Sequence, residues 1–597
     1  MKKILMFLFL WGSLILLPGQ SFQWAYHAGG SPNGPDDEKV YRCLCDEHNN
    51  SYVLLYYSDI MNTPRLNNIP INLPSTGLTY NYSFLVLASY DCEGNLRWYR
   101  SIRRMTHYTF GNYETNNSMN KSYVPMEMID NHIILATAGW GNRLYLRDEN
   151  GHDTLLADKD SVSVGADALI KLDTNGNLKW ANSVACNLYP VTTDDSLYFC
   201  LPTSITQDNE NNIMVLCKIQ PSVIAICPSF PLVNDNLLYM LKYSPEGVLL
   251  SVKPFLFDSG MGTTNNWSQP HLSYYGGKYY FVGYTSSDSI IINEQPVPVP
   301  EGETSSNLYM ACIDSTGRCI NYKYLSPKGK VSDMDINEQG NIYIAGGVSQ
   351  EYDSIPLNNP YGLNGTKIFL SKLDTSLNVE YIKVAWSYNV QKATSLALLS
   401  DNKIAIGGYM GGSISTFDSI QFSFTGYDCF VAIFDEEQMQ FVHAARIISD
   451  GDDEGVTALA ADNENNLMVC GSYRGDNVLV GDSVFDNYGD LDIFIGRYGW
   501  ECGEEADWHI TGIGENSLPE SSLKLYPNPS ISLVTLESET AVMETVTIFN
   551  LMGQQQNSQI VNNHHCTLDI SGLAPGLYLL RASFPDGRSE TLRLVKQ

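Results

Sequence analysis

Along most of the chain, apolar and polar residues alternate with a period of two and break at short polar turns, the pattern of half-buried β-strands. One element reads apolar strand, Asp, tight turn, strand. It appears as FLVLASYDCEGNLRWY from Phe84 and ALIKLDTNGNLKWANSV from Ala168, and returns from Leu238, Leu308, Ile368, Cys429 and Ile493. A second hairpin alternates with it, from Val40, Met126, Thr203, His271, Val331, Thr394 and Val456. Their turns are built from Asp, Asn, Gly and Ser, which tolerate left-handed backbone or hydrogen-bond it locally. Four strands recurring every ~60–85 residues, with no helical periodicity between them, predict an all-β chain organised as a seven-bladed β-propeller. The seventh outer hairpin stops after its first strand, at Tyr498, and its partner is expected at residues 22–28, where Trp24-Ala25 matches Trp180-Ala181. An N-terminal strand there would shut the ring and remove its free edge. The propeller is therefore expected over residues 22–500.

Composition sharpens this picture. With 36 Lys and Arg against 66 Asp and Glu, the formal net charge is −30. Such a chain repels phosphate backbones and anionic lipid, so no nucleic-acid partner is expected. Lys2, Lys3, the apolar run from Ile4 to Leu17 and the small residues Gly19 and Ser21 predict a signal peptide over residues 1–21. No later stretch approaches the 18 apolar residues a membrane helix needs, so no transmembrane anchor is expected after processing. The 13 cysteines contain no CxxC pair, which removes the usual zinc and thioredoxin-like spacings.

At the repeated hairpins the chain resembles the bacterial β-propeller-repeat proteins, whose unit runs D-A-F-V-x-K-x-D-x-x-G-x-x-x-W. Only Trp98 and Trp180 stand at the matching point of the seven outer hairpins. They faintly resemble quinoprotein blades, but packing between blades is the preferred reading. After a polar linker over 501–521 the character changes. Leu525-Tyr526-Pro527-Asn528-Pro529, then a segment ending at Gly553, then Gly576 and Tyr578, and finally Val595-Lys596-Gln597 follow in order. This resembles the type A C-terminal sorting domain of type IX secretion in Bacteroidetes-phylum bacteria, here over 522–597. Its alternation predicts a small β-sandwich. The resemblance implies the type IX secretion machinery as partner, export through the periplasm, removal of the domain, and release or anchoring on surface lipopolysaccharide.

Chemistry is sparse. No HExxH, GxSxG, Walker or GxGxxG motif stands in usable context, so no catalytic residue is assigned and no enzyme is expected. No cofactor is expected either. DGDDEG from Asp450 has the oxygens for calcium, yet lacks EF-hand spacing and reads as a solvated loop. Asp333 and Asp335 read as a turn, and His564-His565-Cys566 as a strand rather than a metal site. Cys312 and Cys319 flank Asp314-Ser-Thr-Gly317, and a two-residue hairpin there would set them opposite one another as a disulfide or contact pair. Asp-Ser-aliphatic triplets read as turns and also resemble O-glycosylation sequons of exported proteins in this phylum, which would modify Ser289, Ser354 and Ser419. Long connections between hairpins carry Tyr108, Phe110, Tyr113, Trp140, Tyr189 and Trp267, rings suited to a sugar or peptide, or to stapling their own loops. The function expected is that of a surface-displayed or secreted binding protein for a glycan or protein ligand. A secreted hydrolase or lyase with a dispersed site in the propeller mouth, and a structural or adhesive surface component, are the alternatives.

Overall fold

An acidic residue at the head of many of the turns decides where strands reverse. Asp46, Asp173, Asp208, Asp314, Asp374 and Asp462 each accept backbone N–H bonds from the residues two and four positions on, at 2.8–3.1 Å. Asn337 does the same in its turn. Burial alone would raise the Asp173 carboxyl, but the Lys179 ammonium and the Asn175 and Asn177 amides outweigh it and hold it at about 2.

The computed structural model describes residues 21–29, 38–57, 64–67, 69–71, 83–108, 113–117, 124–137, 143–158, 168–183, 200–219, 237–257, 270–285, 289–292, 295–298, 307–327, 329–349, 351–357, 366–387, 391–411, 414–423, 427–447, 455–475, 478–481, 483–485, 491–506, 508, 523–538, 542–549, 555–574, 576–584 and 589–596. They divide into two compact units, residues 1–510 and 511–597. Among them there are strands and turns but no helix.

The first unit is all-β and propeller-like, made of antiparallel four-stranded meanders. Sheet one holds Lys39–Cys45, Ser51–Tyr57, Phe84–Tyr90 and Leu96–Tyr108. Sheet two holds Met126–Ile129, His132–Thr137, Ala168–Asp173 and Leu178–Ser183. Sheet three holds Cys200–Gln207, Ile213–Ile219, Leu237–Tyr243 and Leu249–Phe257. Sheet four holds His271–Tyr275, Lys278–Thr285, Asn307–Asp314 and Cys319–Ser326. Sheet five holds Lys330–Ile336, Ile342–Val348, Lys367–Leu373 and Val379–Ser387. Sheet six holds Lys392–Leu398, Lys403–Gly411, Tyr427–Asp435 and Gln440–Ile447. In sheet seven, Gly455–Ala461, Leu467–Tyr473 and Asp492–Gly499 are joined by Ser21–Gly29, with Ala28 opposite Ile493 and Phe22 opposite Tyr498.

Apolar side chains fill the space between faces. Ile133 and Leu135 of sheet two pack with Leu85 and Leu87 of sheet one. Met468 and Cys470 of sheet seven pack with Val53 and Val86 of sheet one. First strands touch those of the next sheet in chain order, and Gly455–Ala461 also touches Lys39–Cys45. A recurrent clasp joins outer edges. Trp24, Trp98 and Trp180 donate indole N–H bonds to the carbonyls of Cys92, Thr174 and Pro245, each in the outer turn of the following sheet, at 3.0–3.1 Å. Their rings lie over Gly94, Gly176 and Gly247 of those turns. This is packing between sheets.

The long connections are partly ordered as extra hairpins rather than loops. Arg65–Leu66, Arg143–Asp148, Ser289–Ile292 and Ile414–Phe417 each sit between the second and third strands of one sheet. Each pairs with the outer strand of the preceding sheet, as in Leu146 opposite Ile102 and Trp386 opposite Thr416. An outer strand otherwise offers unpaired amides, and these hairpins cover it.

Three expectations need correction. The linker does not begin at 501: Ala506 and Trp508 are buried in the core shared by sheets six and seven, and the Trp508 indole donates to the Asn465 carbonyl at 2.9 Å. Cys502 forms a disulfide with Cys92 in the outer turn of sheet one, a pairing 410 residues apart. Cys312 and Cys319, by contrast, do not form a disulfide. The turn runs from Asp314 to Arg318 and a bulge shifts the register, so Cys319 faces Ile313 and Cys312 faces Asn321. Asp333 and Asp335 lie inside the strand Lys330–Ile336, and the turn begins at Asn337.

The second unit packs the strands Leu523–Tyr526, Leu533–Ser538 and His565–Asp569 against a sheet of Gln555–Asn563, Met543–Phe549, Gly576–Ser583 and Ser589–Lys596. Val534, Leu536, Ile548, Leu568, Leu580 and Leu594 form its core.

Candidate functional site

The first strands of sheets one to five line a cavity of about 240 Å³. Most of their side chains are apolar or small, so the charged ones stand out: Arg42, Glu127, His271 and Asp335 all reach its wall. Behind them, Arg42 of sheet one donates from Nη1 to both carboxylate oxygens of Asp333 in sheet five, at 3.1 Å each. Asp333 also accepts the Ser395 hydroxyl and the Leu396 amide of sheet six, both at 3.0 Å. Ser395 Oγ in turn accepts the Leu459 amide of sheet seven at 3.1 Å. One network thus fixes four sheets around a single carboxylate. His271 Nδ1 lies 3.7 Å from Asp333 Oδ1.

The carboxyls divide by environment. Burial would raise Asp333, but the Arg42 guanidinium, His271, the Leu396 amide and Ser395 hold it below the usual carboxylate range. Glu127 is pushed up to about 7, by burial first and then by the Asp335 and Asp333 charges, against Arg42. Asp335 is pushed up to about 6 by the surrounding protein and Asp333, although its side chain still reaches water in the cavity. Burial keeps His271 below the ordinary histidine value, opposed by Asp333. A wall with two carboxyls that change charge near neutrality can hold a cation or move a proton. Among the described residues, no group of three or more His, Cys, Asp or Glu converges as metal ligands.

The side chains of the aromatic residues expected to bind ligand lie outside the described residues. Tyr108 and Tyr113 face one another across the hairpin that extends Leu96–Tyr108 into Tyr113–Asn117, but their side chains lie outside the described residues. Phe110, Trp140, Tyr189 and Trp267 lie outside them altogether, as do Gly553 and most of the 450–455 loop. Ser419 is exposed at the tip of the extra hairpin that begins at Ile414, and Ser354 at the tip of a short hairpin that pairs Glu351–Tyr352 with Ile355–Pro356. The Asp before each is tied to the preceding sheet, Asp353 to Lys323 at 3.0 Å and Asp418 to Lys383 at 2.8 Å. Ser289 opens the strand Ser289–Ile292.

The sorting-motif residues do meet. Asn528 Oδ1 accepts the Val595 amide at 2.8 Å, and the Ser530 amide donates to the Val595 carbonyl at 3.0 Å. The Leu525–Pro529 motif is therefore bonded to the terminal strand, where Lys596 is buried and pairs with Gly576. Leu525 packs on the core, and Tyr526 is exposed and donates to Glu537 at 2.9 Å. Pro527 and Pro529 are exposed beside it. Tyr578 is buried and donates to the Ala574 carbonyl at 2.9 Å.

The residues missed from sequence are Arg42, Glu127 and His271. The available signal was a charge inside an apolar first strand, as in Met126-Glu-Met-Ile129.

Residues 524–597 match the family described as the secretion system C-terminal sorting domain. No curated protein matches the chain. Among solved structures, PorZ of Porphyromonas gingivalis, described as an essential bacterial surface component of the type-IX secretion system, aligns at 10% identity and TM-score 0.21 over 94% of this chain and 81% of that one. The Pan2 WD40 domain of Neurospora crassa aligns at 8% identity and TM-score 0.32, over 65% of this chain and 91% of that one. The apocarotenoid oxygenase of Synechocystis gives 10% identity and TM-score 0.31, over 82% and 95%. The propeller-like fold rests on this chain's own strand pairing. The sorting domain marks the chain as exported to the cell surface or secreted, with its tail handled by the type IX secretion machinery. No helix among the described residues is long and apolar enough to cross a membrane.

Proposed function

We propose that this chain is an exported binding protein, a seven-bladed propeller shut by residues 22–28 and delivered outside the cell by its tail. The observation that carries this reading is the sorting domain at 524–597. A rigid β scaffold with long connections on one face suits recognition of a glycan, peptide or host surface, and Tyr108, Phe110, Tyr113, Trp140, Tyr189 and Trp267 are the rings proposed for it. Exposed Ser354 and Ser419 suit glycan attachment, and Ser289 is grouped with them. Removing residues 592–597 takes most of the terminal strand Ser589–Lys596 from the second unit and no strand from the first. In a type IX-competent host, the truncated chain is expected to keep its propeller folded and to stay inside the outer membrane, as read by fractionation and surface protease. Surface display of the truncated chain would end the export reading.

A second reading, a secreted hydrolase or lyase, is favoured by Glu127 and Asp335, two carboxyls placed near neutrality in one cavity. Turnover in a panel of glycan and peptide substrates, abolished in Glu127→Gln, would put it first.

A further inference from the structure

We propose that the apolar corner of the second unit formed by Tyr526, Ile531 and Leu533 is the surface that the type IX secretion machinery grips, through an apolar surface of its own. The proposal rests on the export reading and names the contact within it.

The three-stranded sheet of this unit turns Leu523, Val534 and Leu536 into the core. Strand alternation sends Tyr526 and Leu533 the other way. Tyr526 pairs with Thr535, so Leu533, two residues before Thr535, is its diagonal neighbour on the outer face. Tyr526 is 48% exposed, Leu533 54% and Ile531 68%. Large apolar side chains exposed singly are ordinary, but a group of them on one corner marks a contact surface.

The corner is rigid. The Ser530 amide donates to the Val595 carbonyl at 3.0 Å, and the Ile570 amide donates to the Ser532 carbonyl at 2.7 Å. The Ser530 hydroxyl donates to the Leu533 carbonyl at 2.6 Å. Ile531 is thereby held out to water between two clamped neighbours. Display on a fixed backbone lowers the ordering cost of binding. It also gives the terminal strand a task, because Val595 holds both Ser530 and Asn528. Within the Leu525–Pro529 motif, Leu525 and Asn528 are used inside the unit, whereas Tyr526, Pro527 and Pro529 face water. The inward residues build the corner, and the outward ones are left for contact.

Size and setting choose the occupant. Three partly exposed side chains offer a few hundred Å², the scale of a functional patch on a monomer and well short of the ~800 Å² per partner that a stable dimer buries. That suits a partner that holds the chain briefly rather than a second copy. The corner lies within residues 524–597, the part of the chain that the machinery handles. Asp569 opposite Leu533 and Glu537 bonded to Tyr526 put carboxylates at its border, so the contact has an apolar centre and a polar rim.

The test places a photoreactive benzophenone side chain at position 531 of the full chain in a type IX-competent host. Position 560 is the control, since Ile560 is 74% exposed in the other sheet of the same unit. Irradiation is expected to give an adduct from 531 and none from 560, and mass spectrometry to identify its partner as an outer-membrane component of the secretion machinery. An adduct with residues 1–510, an adduct with a second copy, the same adduct from both positions, or no adduct overturns the proposal. Ile531→Lys and Leu533→Lys together are expected to lower the amount of chain outside the cell by about tenfold or more, and Ile560→Lys to leave it unchanged. Export of the double variant at the wild-type level overturns the proposal as well. The crosslink keeps the question decidable where the double variant misfolds. Normal export of the double variant beside lost export on removal of residues 592–597 would sink the gripping surface and keep the export reading, whereas display of the truncated chain would end the export reading itself.

Discussion

Gly176 shows how one residue answers two demands. Its φ of +75° lies where a Cβ is strained, and an added Cβ would fall 2.8 Å from the Trp98 ring of the preceding sheet. Gly277, at φ +82°, has the same backbone demand but nothing within 4 Å. Gly176→Ala is therefore expected to lose roughly 2–4 kcal/mol of stability, and Gly277→Ala only about 1 kcal/mol, in chemical unfolding. Equal losses would show that the ring contact contributes nothing. The turn chemistry was legible, because Asp and Gly act within five residues of themselves. The destination of the tryptophan was legible only as packing, since the partner turn lies in the next sheet. The cavity charges were not legible. Arg42 meets Asp333 across 291 residues, and a local alternation carries no information about which strands face one another across the middle.

At the scale of elements, the repeats fixed the strands, while the connections held the surprises. Length between hairpins reads as loop, yet several of these segments pair with the outer strand of the preceding sheet, as Arg143–Asp148 does with Leu96–Tyr108. Short strands such as Arg65–Leu66 have too few residues to show a period. The same limit hid the end of the first unit. A polar stretch after Trp500 looks like linker, but Cys502 and Trp508 anchor it. Crosslinking positions this far apart removes much chain entropy from the unfolded state. Cys502→Ser is expected to lower the stability of the first unit by about 2–5 kcal/mol in guanidinium unfolding, and reductant is expected to bring the wild type to the same value. A variant as stable as the oxidised wild type would mean that the segment is held by Trp508 packing alone.

For the whole molecule, the account joins a propeller-like body that ends at about residue 510 to a sorting unit that can be lost without opening it. Localisation was legible because the sorting motifs are short, ordered and tied to one another through Asn528 and Val595. The ligand was not, because binding surfaces are assembled from side chains distant in sequence. The measurement that bears most directly on this account is the intact mass of the chain recovered from the outside of type IX-competent cells, taken without reduction. The account predicts a chain beginning near residue 22, ending between 509 and 523, and retaining the Cys92–Cys502 bond. A chain cut before Cys502, or one still carrying residues 524–597 with no shorter form outside the cell, would contradict it.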